Sequence, residues 1–541
     1  MDDASATAAV ADRDELRSDE PALSHGQSEV EAAESKDTGM LPPGTPLGVL
    51  LMEMLKIAGP TIAIMTSYTV MQFFDGLMVS HIEPPNPAYL AAQGNGGMAV
   101  WLSMSLMMGL ITVINTYVSQ NLGAGKPERG SMYAWTGLWM ALGYSLIVFP
   151  LAFILPKIFV EMGHEGLLLE SEIAYSRILL YGAVFTLGGR TISQFFFGIH
   201  KPVVVLIGVL IANITNVNLN MLLIFGDTGL AQTGNAFVDW YAGIMQSLAS
   251  SLGIQAQGIQ GAALATIIGS SIEFLLPLLV FLSPWMAKKY HTRSNYKFNV
   301  NAATDIVRIG WPGGLMFVSE MLCWAYLMAY LLGAAGKAAG DDPDVHNAAG
   351  WIALRFMHMS FMPTVGLSIA VTAMVGRCMG MKRADLAAQR AWLGLKIAMI
   401  YMGICALIFI FKRHQLVSMF APKDMDHEKV VKLIEVGSIV MIAAAIFQLF
   451  DAVAIIMSAA LRGAGDTVWP GMATLLICWT CIPIGGWAFI RFAPDLGSIG
   501  PWIAGSTYII LLGTILLIRF IHGRWRDISL VKDSDVAQAE S

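Results

Sequence analysis

Twelve segments of about 20 or more mostly apolar residues dominate this sequence of 541 residues. As helices, segments of that length can each cross the ~30 Å hydrocarbon core of a bilayer. Only 13% of the residues are charged, whereas soluble domains carry roughly 25%. We therefore predict an all-α integral membrane protein with about twelve transmembrane helices. The predicted spans are 50–80, 97–120, 132–156, 173–198, 202–226, 259–284, 307–334, 348–377, 388–411, 434–461, 468–490 and 498–521.

The distribution of basic residues predicts the orientation of the chain. Three connections, 81–96, 227–258 and 335–347, are long and almost free of Lys and Arg, whereas the connections on the opposite side are rich in both. Short cytoplasmic loops normally carry the excess of Lys and Arg. We therefore expect both termini to be cytoplasmic and the three long loops to lie outside a cytoplasmic (inner or plasma) membrane.

The two ends of the chain are polar. The first forty residues contain eleven Asp or Glu against three Lys or Arg. Such low hydrophobicity and high charge predict that residues 1–45 form a disordered acidic tail. The stretch also lacks the basic and apolar regions of a cleaved signal peptide. Residues 526–541 are predicted to form a second cytoplasmic tail.

An internal repeat divides the spans into two sets of six. The 21-residue stretches that begin at Val118 and Val375 agree at six positions when they are aligned at a constant offset of 257. Both stretches lie in the same kind of basic connection, so the two halves have equal topology. We predict two pseudo-symmetric six-helix lobes, 46–284 and 307–525, with a cytoplasmic linker at 285–306 and a central cavity. Transporters with such repeats bind their substrate between the halves.

Two acidic residues of the second half are expected at the same depth in the membrane. Glu320 follows Arg308 by 12 residues, and Asp451 precedes Arg462 by 11, which places both carboxylates roughly 16–18 Å from the cytoplasmic side. Two carboxylates at one level suit a hard cation such as Na⁺, or they can share a proton. The alternative is a hydrogen-bonded pair with a purely structural role.

Two further acidic residues lie in the first half. Asp75 is predicted in the outer part of the first span, where it either faces the central cavity or reaches water at the membrane surface. Glu273 in the sixth span is expected to pair with Arg190 in the fourth, because buried charges are normally paired. For Glu273 a structural role is the simpler interpretation.

Other polar and aromatic side chains are candidates for a substrate cavity or for tuning the acidic residues. Arg355 would neutralise Glu320 or Asp451, and His358 would either relay protons or have a structural role. Asn213, Asn216 and Asn220 share one helical face and either line the cavity or join helices. Aromatic residues one helical turn from the acids either bind a lipophilic cation or simply pack; they are Phe74, Phe317, Trp324 and Phe447.

Six pieces of sequence, in order along the chain, resemble one transporter family. They are QFFDGLMVSHI, VSQNLGAGKPE, GIQGAALAT, RIGWPGGLMFVSE, VGRCMG and FDAVAIIMSAALRGAGDT. Together they are similar to the MATE (multidrug and toxic compound extrusion) family over roughly residues 45–525, and to its NorM-like branch in particular. The resemblance implies an antiporter that exports organic compounds, often cationic and amphipathic, in exchange for Na⁺ or H⁺.

The same resemblance assigns roles to individual positions. The acidic residues of the NorM-like branch in spans 1, 7 and 10 correspond to Asp75, Glu320 and Asp451. Two positions depart from the pattern: relatives often have Tyr where Phe447 stands, and a small polar residue near Arg355. The identity of the coupling ion, Na⁺ bound by Glu320 and Asp451 or H⁺, therefore stays open.

Several other functions are disfavoured by what the sequence lacks. GAAGKAAG at 333–340 has Ala338 where a phosphate-binding loop needs Ser or Thr, and no catalytic motif is evident, so we expect no enzyme activity and no cofactor. The alternatives are a lipid-linked precursor flippase of the same superfamily, which would need a basic cavity, and a membrane-embedded transferase. The expected partners are a small-molecule substrate, the coupling cation and the bilayer, without nucleic acid, for a monomeric protein.

Overall fold

The computed structural model describes residues 45–419 and 427–531, and for Asp344 the backbone alone. The predicted tail at 1–45 lies, apart from its last residue, outside the described residues, as does most of the predicted tail at 526–541. Internal contacts divide the chain after Glu53, and everything below concerns the unit that begins at Met54. Within the described residues all regular secondary structure is helical, as predicted.

Nineteen α-helices are named here in chain order, and short 3₁₀ and π segments are given without labels. The helices are α1 (Leu47–Val79), α2 (Pro87–Ile111), α3 (Val113–Gly123), α4 (Pro127–Val148), α5 (Leu151–Glu161), α6 (Gly166–Tyr181), α7 (Ala183–Gly198), α8 (Pro202–Ile224), α9 (Ala236–Leu252), α10 (Gly258–Phe281), α11 (Pro284–Tyr290), α12 (Val300–Tyr326), α13 (Leu332–Ala338), α14 (Pro343–Gly380), α15 (Ala384–Ser418), α16 (His427–Ala464), α17 (Val468–Trp479), α18 (Gly486–Phe492) and α19 (Ile499–His522). π-helical turns at Leu327–Leu331 and Thr480–Gly485 join α12 to α13 and α17 to α18.

Most of these helices match the predicted membrane spans. Ten continuous helical stretches of the described chain are long and apolar enough to cross a membrane, and the bent pair α4 and α5 would make eleven. The predicted span 173–198 coincides with α6 and α7, which meet at Gly182 and have 16 residues each. Because the chain breaks at Gly182, neither helix alone is long enough to be counted as a membrane span.

The predicted ends of the helices and the connections predicted to be long loops require correction. α2 begins at Pro87 rather than near 97, because the Asn86 side chain accepts a hydrogen bond from the Ala88 amide at 2.9 Å and caps the helix. The connection at 335–347 is largely helical, since α13 ends at Ala338 and α14 begins at Pro343. For α2, the polar capping residue starts the helix before the apolar pattern does.

The predicted loop at 227–258 also contains a helix. Asn235 caps α9 by accepting hydrogen bonds from the Phe237 and Val238 amides, and Gly253 ends it in a left-handed conformation. Its exposed face carries Phe237, Trp240 and other apolar residues. Such a stripe is typical of a helix at a membrane interface.

The two halves contact each other through a pair of glycines that the internal repeat relates. A Cβ on Gly123 would overlap the carbonyl oxygen of Arg377, and one on Gly380 would overlap that of Gln120. The two contacts are related by the offset of 257 that aligns the repeats, because Gly123 corresponds to Gly380 and Gln120 to Arg377. Hydrogen bonds from Thr61 Oγ1 to the Gly366 carbonyl (2.7 Å) and from Gln120 Nε2 to the Gly463 carbonyl (2.9 Å) join the halves at the same end. That end carries the basic connections.

Aromatic packing repeats in the same way. Trp135 meets Phe281 edge-on at a ring separation of 5.8 Å, and Trp392 meets Phe520 edge-on at 5.7 Å. Trp135 and Trp392 are related by the same offset. The structure therefore bears out the pseudo-symmetry that the sequence repeat indicated.

Candidate functional site

A cavity of about 200 Å³ lies inside the first half of the protein. Residues of α1, α2, α6, α7, α8 and α10 line it, and none comes from the second half. The sequence placed the substrate cavity between the halves, whereas this one is enclosed by helices of one half. It is smaller than the ~300–1,000 Å³ of typical pockets for drug-sized ligands, so it accommodates a small molecule or part of a larger one.

Asp75 borders this cavity and accepts a hydrogen bond from one amide of α8. Asn220 Nδ2 donates a hydrogen bond to Asp75 Oδ1 at 2.6 Å, and the same amide nitrogen donates to Asn216 Oδ1 at 2.8 Å. The carboxylate therefore has a fixed orientation. The structure places Asp75 at the wall of a cavity within the first half, which is neither the central cavity nor the membrane surface considered from sequence.

The asparagine face predicted on α8 points towards α1 and the cavity. Asn213 Nδ2 donates to Ser67 Oγ at 2.6 Å, and Asn213 and Asn216 both line the cavity. The two roles considered for these amides, lining a cavity and joining helices, are thus combined. Asn218 points elsewhere and accepts a hydrogen bond from Tyr241 of α9 at 2.8 Å.

A second group of polar side chains lines the same cavity two helical turns from Asp75. Tyr68 of α1 donates a hydrogen bond to the carboxylate of Glu273, and the guanidinium carbon of Arg190 lies 4.5 Å from the centre of the Tyr68 ring. Arg190 and Glu273 are also within electrostatic range of each other. The structure brings together the two residues that sequence reasoning paired, with Tyr68 between them. Sequence reasoning missed Tyr68, although its hydroxyl group in an apolar span was a signal.

The acidic residues of the second half lie near each other, as their depths indicated. Glu320 of α12 accepts a hydrogen bond from the Tyr508 hydroxyl of α19, and it interacts electrostatically with Asp451 of α16. Within the described residues no hydrogen bond reaches the Asp451 carboxylate. Sequence reasoning missed Tyr508, whose hydroxyl group lies in the apolar last span.

Glu320 is within electrostatic range of Arg462. Arg355, which was expected to neutralise these carboxylates, instead has an exposed side chain on α14. The expectation for Arg355 is therefore corrected: Arg462, used from sequence only to mark the end of the span, is the basic residue near Glu320. His358 is half-buried and stacks against Phe361 at 6.4 Å.

A sodium ion at the second-half carboxylates would need additional ligands. The part of the chain that the structure describes has no group of three or more His, Cys, Asp or Glu side chains placed to hold a metal ion. Hard cations accept hydroxyl, carbonyl and water oxygens beside carboxylates. Glu320, Asp451 and the Tyr508 hydroxyl could contribute to such a set.

The aromatic candidates lie away from the first-half cavity. Phe74 is 40% exposed and packs edge-on against Phe73, although it is adjacent to Asp75. Phe447 is buried, Trp324 lies 6.3 Å from Trp502, and Phe317 is half-buried. None of the four lines the cavity: Phe317, Trp324 and Phe447 belong to the second half, and the Phe74 side chain is exposed on α1.

The MatE family model matches residues 60–222 and 316–485, one match in each half and more than half of the chain together. The chain belongs to the MatE family. The resemblance stated from the six pieces of sequence is thereby confirmed. MatE proteins are transporters, so this chain is a multi-pass membrane transporter rather than an enzyme.

Bacterial proteins named NorM are similar to this MatE chain over most of their length. A probable multidrug resistance protein NorM of Mesorhizobium japonicum is 24% identical over 479 residues, which are 86% of this chain and 93% of the relative. A probable multidrug resistance protein NorM of Shewanella oneidensis is 26% identical over 500 residues, 90% of this chain and 99% of the relative.

Solved structures of MATE transporters share the fold. An outward-facing multidrug resistance MATE transporter of the MOP superfamily matches with a TM-score of 0.72 at 18% identity, over 89% of this chain and 97% of that one. The eukaryotic MATE transporter AtDTX14 matches with a TM-score of 0.72 at 15% identity, over 89% of this chain and 97% of that one. A MOP superfamily transporter from Pyrococcus furiosus, described as having a binding pocket of reverse polarity, matches with a TM-score of 0.73 at 18% identity. The match covers 88% of this chain and 97% of that one. The predicted fold of about twelve helices in two six-helix lobes is thus confirmed.

Proposed function

We propose that this MatE protein exports organic compounds, cationic or amphipathic, in exchange for Na⁺ or H⁺ by alternating access. The names of the NorM relatives, which refer to multidrug resistance, support the substrate class. The observation that carries the proposal is one carboxylate site in each half, at membrane depth and hydrogen-bonded to a neighbouring helix: Asp75 with Asn220, and Glu320 with Tyr508. Ionisable groups at that depth are costly and normally functional.

The two sites have different roles in this proposal. Asp75 lies at the wall of a cavity with apolar side chains, so it attracts an organic cation or carries a proton. Glu320 and Asp451 bind the coupling ion, Na⁺ or H⁺. Ion binding neutralises charge in the second half and favours the state that releases the ion inward, through its different affinity for the two states.

The contacts between the halves support a starting conformation. The glycine contacts and the hydrogen bonds of Thr61 and Gln120 close the end that carries the basic connections. With that end in the cytoplasm, the conformation is open to the outside, in keeping with the outward-facing MATE structure of similar fold. Cytoplasmic termini, a cytoplasmic-membrane location and a monomeric state belong to the same proposal.

Transport in proteoliposomes tests the proposal. Export of a fluorescent lipophilic cation is measured under a Na⁺ gradient alone, a pH gradient alone, and neither. We expect one gradient to drive export by the wild type, and Glu320→Gln or Asp451→Asn to abolish the driven component. Glu161→Gln, an exposed acidic residue at the end of α5, is the matched control and should transport normally.

Two results would refute the proposal. Export by the wild type that is equal with and without gradients would exclude antiport. Full gradient-driven export by both acidic variants would exclude the second-half site. The flippase alternative is less favoured because the first-half cavity contains two acidic side chains and one basic one, whereas pyrophosphate requires a basic cavity.

A further inference from the structure

Arg190 is the basic residue in the wall of the first-half cavity. Its charge has no use in a site for organic cations, because a guanidinium repels them. The Arg190 side chain is half-buried, and a positive charge inside a protein is normally compensated. The groups that contact Arg190 therefore indicate which chemical group of a ligand it could bind.

The Arg190 guanidinium lies over the ring of Tyr68. The guanidinium carbon lies 4.5 Å from the centre of the Tyr68 ring, a distance typical of cation–π stacking. A guanidinium has five N–H donors around its edge. Among the described residues, none accepts a hydrogen bond from the Arg190 side chain.

Glu273 is the nearby carboxylate, but it is bound by another group. The Tyr68 hydroxyl donates its hydrogen bond to Glu273. Glu273 thus compensates the charge of Arg190 at a distance and leaves the N–H groups unused. Arg190 is half-buried in the cavity wall, so its N–H donors are available to a molecule in the cavity.

The cavity has a negative group at its other end. Asp75 follows Tyr68 by seven residues on α1, so the two lie about 10 Å apart along the same face. Both border the cavity, together with Arg190. The cavity therefore presents a carboxylate at one end and unused guanidinium donors at the other, separated by apolar side chains such as Val100 and Met104.

We propose that this cavity binds zwitterionic molecules, with Arg190 holding the carboxylate of the ligand and Asp75 its ammonium group. A guanidinium matches the two oxygens of a carboxylate with parallel hydrogen bonds. Arg190 thereby selects zwitterions over simple cations of the same shape. This inference rests on the proposed function, because it names the class of compound that the first-half cavity receives.

A matched pair of ligands tests the inference on the purified protein. 4-(Aminomethyl)benzoate is a zwitterion at pH 7, and its methyl ester is a cation of nearly the same shape. Binding of each is measured by titration calorimetry for the wild type, Arg190→Gln and Glu273→Gln. Asn218→Ala is the control and should bind both ligands as the wild type does, because Asn218 does not line the cavity and contacts Tyr241 instead.

We expect Arg190→Gln to weaken binding of the zwitterion about tenfold or more, since a hydrogen bond to a charged group is lost, and to leave ester binding unchanged or tighter. Glu273→Gln should strengthen zwitterion binding, because it removes a negative charge that would repel the carboxylate of the ligand beside Arg190. This second variant keeps the test decisive if Arg190→Gln does not fold.

Three outcomes would overturn the inference. The first is that the wild type does not bind the zwitterion. The second is that Arg190→Gln weakens binding of the zwitterion and of the ester equally. The third is that Glu273→Gln leaves zwitterion binding unchanged or weakens it. The proposed function fails separately, when the wild type does not export a lipophilic cation under either gradient. Cation export with no zwitterion binding would leave antiport standing and refute the role of Arg190 alone.

Discussion

Asn220 donates a hydrogen bond of 2.6 Å to Asp75 and thereby orients the acidic group of the first-half cavity. We predict that Asn220→Ala reduces transport of a lipophilic cation roughly tenfold or more, because a hydrogen bond to a charged group contributes about 1.5–3 kcal/mol. Initial rates in proteoliposomes measure the effect. Asn218→Ala is the control, since Asn218 lies on the same helix but contacts Tyr241. Equal rates in the two variants would contradict a role for Asn220 in positioning Asp75.

Tyr508 provides the corresponding contact in the second half. Tyr508→Phe keeps the ring and removes the hydroxyl that hydrogen-bonds Glu320. We expect gradient-driven export to fall about tenfold, with unchanged expression and melting temperature, because the carboxylate loses its fixed hydrogen-bond donor. Thr507→Ala, an exposed neighbour on α19, should have no effect. If Tyr508→Phe transports as fast as Thr507→Ala, the hydroxyl has no part in ion coupling.

Sequence reasoning located the second-half acids by depth but not their partners. Counting residues from Arg308 and Arg462 placed Glu320 and Asp451 at one level, and they do interact electrostatically. Depth does not specify rotation about the helix axis, so the count could not show that Arg462 rather than Arg355 lies near Glu320. Rotation depends on packing against other helices, which also determines that Tyr508 faces Glu320.

The repeat, by contrast, predicted a feature of packing. Gly123 and Gly380 were matched by alignment alone, and each proves to contact the backbone of the opposite half. Glycine is the one residue that permits two helix backbones to approach so closely. Helix starts such as Asn86 were missed because polar caps lie outside the apolar pattern from which the spans were assigned.

The glycine pair yields a prediction about the transport cycle. A Cβ at Gly123 or Gly380 would overlap a carbonyl oxygen of the other half. Gly123→Ala and Gly380→Ala should therefore disfavour the conformation in which this end is closed and shift the protein towards the opposite one. Spin labels at Lys126 and Arg383, in the adjoining connections, should report a longer distance by pulsed electron resonance.

The matched control for the glycine pair is Gly143→Ala in α4. A Cβ there meets nothing within 4 Å, and Ala favours a helix by about 1 kcal/mol over Gly. Gly143→Ala should leave the label distance unchanged. The interpretation is wrong if Gly123→Ala and Gly380→Ala also leave it unchanged.

A cluster of charged side chains beside the connection from α13 to α14 predicts a pH dependence of stability. Asp341, between α13 and α14, pairs with His346 Nε2 at 3.1 Å and with Lys432 Nζ at 3.2 Å. The hydrogen bond with His346, followed by that with Lys432, holds the pKa of Asp341 below its ordinary value. A carboxylate with a lowered pKa stabilises the folded state above the pKa that it has when unfolded, and this contribution is lost as the pH falls through the folded pKa.

The wild type should therefore be more stable than Asp341→Asn at pH 6–7, and the difference should shrink below about pH 4, where an unfolded Asp takes up its proton. Melting temperatures of the detergent-solubilised protein between about pH 3 and pH 7 measure this convergence. Asp495→Asn is the control, because Asp495 is exposed and should show no such difference at any pH. A difference between the wild type and Asp341→Asn that is constant over the whole range would show that the Asp341 charge does not stabilise the fold.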